Sequence, residues 1–108
     1  MSFLIALAAV AAITPAQSTD IACVAQLALV ANEQKHGEGR GDYPSVGPEG
    51  AEYAAVVGAD VMDTTGQTQE QVRDLILASA ASVLKVGKSP RTAIDQCLVR
   101  MHLRLSAQ

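Results

Sequence analysis

Two cysteines, two histidines and a set of regularly spaced carboxylates are the side chains of this 108-residue chain with the clearest chemical potential. A cysteine nucleophile needs a base within hydrogen-bond reach and a third group to orient that base. His36 and His102 are the only imidazoles. His36 falls at the end of a helical pattern and His102 at the flank of another, so neither completes a catalytic constellation and the chain reads as non-catalytic. Covalent haem attachment wants Cys-x-x-Cys-His, which is absent, and no cofactor is expected. Gly87-Lys88-Ser89 is the tail of a phosphate-binding loop. The full motif needs a glycine where Ser82 stands and a strand before the loop, so these residues read as a helix stop followed by a helix start. Arg40-Gly41-Asp42 is explained by a glycine-rich turn.

Metal chemistry has somewhat more to draw on. On a helical projection of residues 49–63, Glu49, Glu52, Asp60 and Asp63 share one face and offer oxygen ligands. Neither they nor the cluster His36, Glu38, Asp42 matches the ligand spacing of a zinc or calcium site. The plain reading is a solvated acidic face, with a metal or small-ligand site on this acidic helix as the alternative.

The cysteines are best placed as a disulfide, and the reason lies at the start of the chain. Phe3 to Ile13 is an unbroken apolar run, followed by Thr14-Pro15-Ala16 and then polar sequence. The run is roughly half of the ~20 residues that a membrane-spanning helix requires. It has the build of a signal peptide over residues 1–16, with small residues suited to cleavage after Ala16 or after Ser18. Asp20 stands where a lipid-modification box wants an aliphatic residue, which argues against acylation of Cys23. Export to an oxidising compartment, periplasmic or extracellular, lets Cys23 and Cys97 pair. No stable membrane anchor is expected after processing.

The elements that must bring these sulfurs together are helical. About 90 residues follow the leader, enough for one small domain, 17–108, that buries only about 60 to 65% of its unfolded surface. With no Trp, and only Tyr43 and Tyr53 as aromatics beyond Phe3, its interior must be Ala, Val, Leu and Ile. The spacing predicts a helix over 20–35, capped by Thr19 or Asp20 and apolar almost all round, hence central. Residues 36–50, with five glycines and two prolines, form a loop. A helix over 49–63 follows and ends at Gly66. The next begins at Thr68, with Gln71 completing a capping box, and turns Val72, Ile76, Ala80, Val83 and Leu84 inward. The last runs from Pro90 to about Ser106 behind Ser89 and buries Ile94, Cys97, Leu98, Met101 and Leu105 on one stripe.

The fold class is therefore all-α: about four helices, the first and last joined by the disulfide. Val99 and Leu103 lie four apart on the far side of the last helix and suggest a partner surface.

Charge is unevenly distributed. From Asp20 to Asp74 ten acids face three basic residues, whereas from Lys85 onward five basic residues face Asp95 alone. Internal complementarity between the last helix and the acidic middle explains this most simply. Nucleic acid is not an expected partner of a chain with net charge −3. The sequence thus points to a small exported protein-interaction or envelope accessory module, binding another protein or its own copy, with an acid-responsive, chaperone-like role as a further alternative.

Overall fold

The computed structural model describes residues 12–37, 43–87 and 89–108. The apolar run expected to be exported and cleaved lies almost wholly outside these residues, as does the middle of the glycine-rich loop. The described residues form four helices: α1 (Pro15–Lys35), α2 (Gly47–Thr65), α3 (Gln69–Val86) and α4 (Arg91–Ser106). The all-α expectation is met.

Helix α1 is the hub, packing against each of the other three, while α3 and α4 do not pack on one another. This follows from its composition, since an element apolar on nearly every side can be stable only when surrounded. Ile21, Val24, Leu27 and Val30 are buried from one end of it to the other. Against them stand Tyr53, Val57 and Val61 of α2, Val72 of α3, and Ile94 and Met101 of α4.

Helix α1 starts earlier than the spacing predicts. Its N-cap is Thr14, whose hydroxyl accepts from the Gln17 backbone N–H at 3.1 Å while the Gln17 side chain accepts from the Thr14 N–H at 3.0 Å. Pro15 occupies the first turn, where its missing N–H costs nothing. Asp20, expected as a cap, sits inside the helix and is buried, for reasons that appear below. Both expected cleavage bonds, after Ala16 and after Ser18, fall within the first turns of this helix.

The other boundaries follow their local chemistry. The Thr68–Gln71 capping box is present, with bonds of 2.8 and 3.2 Å. Gly66 closes α2 at φ 75°, a left-handed conformation that favours glycine. Helix α4 begins at Arg91, with Pro90 rather than Ser89 in the cap position.

The loop ends at Val46, sooner than expected, and two residues of its return join the core. Tyr43 and Val46 are buried. The Gln34 side chain holds this return, donating to the Pro44 carbonyl at 3.0 Å and accepting from the Val46 N–H at 3.2 Å. The Arg91 guanidinium lies 5.0 Å from the centre of the Tyr43 ring.

Candidate functional site

The expected disulfide is formed: Cys23 and Cys97 are bonded with their Cα atoms 5.1 Å apart at a sequence separation of 74. It joins α1 to an antiparallel α4, since Asp20 meets Arg100 three residues to either side.

Beside this bridge lies a polar cluster that unites three helices. The Asp20 carboxylate is 3% exposed. It accepts from the Tyr53 hydroxyl at 2.6 Å and from Arg100 Nε at 2.6 Å, and Arg104 Nε stands 3.5 Å from its other oxygen. Arg100 also donates to the Ala16 carbonyl at 3.0 Å. Arg104 reaches Asp60 on α2 at 3.3 Å, and Asp60 in turn accepts from the Gln17 side chain at 3.3 Å. Gln17 donates to Thr64 as well, at 2.6 Å. Two carboxylates and two guanidiniums balance each other, which is the condition under which a small core tolerates buried charge.

This cluster is where the uneven charge of the sequence is resolved. The basic last helix pairs inward, Arg100 with Asp20 and Arg104 with Asp20 and Asp60, while His102 approaches Glu49 at 3.5 Å on the surface. Complementarity between the last helix and the acidic middle is legible in the sequence; the buried partners are not. Asp20 reads as a cap, and nothing in the spacing marks Tyr53 as its partner.

The electrostatics hold this cluster together. Burial pushes the Tyr53 hydroxyl well above its ordinary range, and its hydrogen bond to Asp20 adds to this, so the phenol stays protonated. The same carboxylate accepts from Arg100 and holds its guanidinium in the charged form. Neither group exchanges a proton near neutrality. His36 lies at the end of α1 remote from the bridge, its ring Nδ1 2.8 Å from the Asn32 carbonyl oxygen. His102 pairs with Glu49 on an exposed face. The two imidazoles and the disulfide are not brought together.

The proposed acidic ligand set does not converge either. Asp60 turns into the cluster, Glu49 pairs with His102, and Glu52 and Asp63 are exposed on the surface. Among the described residues, no group of three or more His, Cys, Asp or Glu side chains is arranged to hold a metal ion.

Apolar surface remains uncovered on α3 and α4. Of the inner face expected for α3, Val72 is buried, Ile76, Ala80 and Val83 are half-buried, and Leu84 is 66% exposed. Leu77 and Val86 are exposed too, Val86 to 89%. A groove of about 450 Å³ runs between α2 and α3, floored by Ala54, Gly58 and Ala59 and walled by Met62, Ile76 and Leu77. On α4, Val99 and Leu103 stand outward as expected, 59% and 68% exposed. No helix of the described residues is long and apolar enough to cross a membrane.

Compared with protein-family models, with characterised proteins and with solved structures, the chain matches none.

Proposed function

We propose that this chain is a small exported, non-catalytic protein-interaction module of the cell envelope, its mature domain tied by the Cys23–Cys97 bridge. The observation that carries the reading is α3. It is amphipathic, yet the bundle buries only Val72 fully and leaves Leu77, Leu84 and Val86 facing water. Leu77 and Leu84, seven residues apart, fall on one face of the helix, and exposed large aliphatic residues grouped in this way on a small domain support an interaction role. The oxidised cysteine pair supports a periplasmic or secreted location, because reducing compartments keep such thiols apart.

The test is photo-crosslinking in the native host with a photoreactive residue at Leu84 and, separately, at Leu103. A discrete adduct that disappears when Leu77→Asp is added supports the reading. Absence of any adduct at both positions, from folded and oxidised protein, contradicts it.

One observation favours a second reading, an acid-responsive chaperone-like role. Helix α2 is tied to the disulfide-linked α1–α4 pair through carboxylates: Tyr53 to Asp20, Asp60 to Arg104, and Glu49 to His102. Conditions that break these polar ties would loosen α2, while the covalent bridge keeps α1 on α4. Exposure of Tyr53, Val57 and Val61 would follow, and an apolar dye would report it. Unchanged helix content with no dye binding on acidification counts against this role.

A further inference from the structure

We propose that folding and removal of the leader exclude one another in this chain. The polar cluster that clamps α1 on α4 also guards the Ala16–Gln17 bond, so a leader peptidase cuts only before α1 docks. The inference rests on the export reading above and adds the order in which processing, folding and oxidation occur.

Leader removal is a hydrolysis. The bond between the Ala16 carbonyl carbon and the Gln17 nitrogen breaks, water supplies the second oxygen of an Ala16 carboxylate, and a proton passes to the new Gln17 amine. A peptidase needs the segment extended, so that its main chain pairs with the enzyme as an added strand. It also needs the scissile carbonyl oxygen free to enter an oxyanion hole. The folded chain offers neither, since Thr14 caps α1 and the helix runs on from Pro15. The Thr14 carbonyl accepts from the Ser18 N–H at 2.9 Å, and the Pro15 carbonyl accepts from the Thr19 hydroxyl at 3.0 Å. The Ala16 carbonyl, the one that must be attacked, accepts from Arg100 at 3.0 Å, and Arg100 is fixed in turn by Asp20 at 2.6 Å. On the other side of the bond Gln17 is 5% exposed, its amide donating to Thr64 at 2.6 Å and to Asp60 at 3.3 Å. Three helices thus close on one peptide bond, and the bond after Ser18 lies deeper in the same helix.

The guard can be sized. Exposing the bond requires the first turn to open locally. Opening gives up the Thr14 cap, worth roughly fivefold. It also gives up the charge-assisted Arg100 bond, roughly tenfold, and the Gln17 amide contacts, roughly fivefold. When opening and closing are fast, cleavage follows the open population, so the folded chain should be cut on the order of 100-fold more slowly than an unfolded one. The Cys23–Cys97 bridge lies about two turns further along α1 and holds that helix on α4 once formed. Oxidation therefore follows cleavage, and a chain that folds and oxidises first keeps its leader.

The test is incubation of the folded, oxidised full chain with the native host's leader peptidase in detergent micelles, read by intact mass. A synthetic segment covering residues 1–26 serves as the unfolded reference. The segment should be cut after Ala16, and the folded chain on the order of 100-fold more slowly. Arg100→Gln, 84 residues from Ala16, should speed cleavage of the folded chain about tenfold. Thr14→Ala keeps a small residue for the peptidase, and should speed cleavage about fivefold in the chain and not at all in the segment. Circular dichroism and the absence of titratable thiol, measured in the same micelles, show that each chain is folded. Equal rates for chain and segment, or an Arg100→Gln chain cut no faster than the parent, overturn the inference and leave the export reading standing. A segment that is not cut refutes the export reading, and the inference falls with it.

Discussion

Replacing Asp20 by alanine probes the polar cluster where its parts meet. The carboxylate accepts the hydrogen bond of the Tyr53 hydroxyl, and Tyr53 is fully buried. Leaving that hydroxyl unpaired costs about 1 to 3 kcal/mol. Arg100 and Arg104 would each lose an anion, but their side chains are 34% and 33% exposed and keep other partners, the Ala16 carbonyl and Asp60. Their share is therefore discounted for solvent, and the total should fall near 3 kcal/mol, the lower end of the range for breaking a buried ion pair. Asp20→Asn preserves an acceptor for Tyr53 and removes only the charge, so it should cost about half as much. Tyr53→Phe removes the donor and leaves both arginines paired, at about 1.5 kcal/mol. The assay is urea unfolding of the oxidised protein at neutral pH, with the denaturant slope checked for constancy. The double variant with Tyr53→Phe and Asp20→Ala should cost less than the sum of its parts, because the unpaired hydroxyl is then gone. An Asp20→Ala cost below about 1 kcal/mol, or strict additivity in the double variant, would refute the claim that this carboxylate holds three helices together.

Other expectations follow from the same geometry. Removing the bridge with Cys23→Ser and Cys97→Ser should destabilise by up to about 4 kcal/mol, given a loop of 74 residues, and equilibrium unfolding reads this directly. Tyr53 binds its proton more tightly folded than unfolded, so its contribution is complete below the ordinary phenol range near 10 and is lost as pH rises above it. Alkaline unfolding should begin there and be blunted in Tyr53→Phe, and an identical alkaline profile in the variant would contradict that assignment. A chain beginning at Gln17 lacks the Thr14 cap and the Ala16 carbonyl that receives Arg100, so it should be less stable than the longer chain by about 1 to 2 kcal/mol.

Local chemistry was written openly along much of the chain. Thr68 followed by Gln71, Gly66 and Gly87 each mark a boundary that the structure keeps, and the stripe Ile94, Cys97, Met101 points the second cysteine at the first. The start of α1 was hidden by competition between two readings of the same residues. Thr14 and Gln17 have the spacing of Thr68 and Gln71, yet they follow an apolar run and resemble a processing site, and the export reading took them first. The role of Tyr53 is hidden for a different reason. Its i, i+4 series with Val57 and Val61 is a core stripe, but Glu49 and Glu52 lie close to it on the helical projection and mask it. What keeps Tyr53 inside is a carboxylate 33 residues away, and no local pattern announces such a partner. Helix α3 is legible as amphipathic, while the depth of its burial depends on α4 not packing along it.

The central claim is that this chain leaves the reducing interior and is held together by one bond between α1 and α4. The most direct test is the intact mass of protein recovered from its native host, alkylated before and after reduction. The account predicts a chain beginning at Gln17 or Thr19 that takes up no alkylating group until reduction and then takes up two. A chain beginning at Met1 that is alkylated at both cysteines without reduction would contradict it.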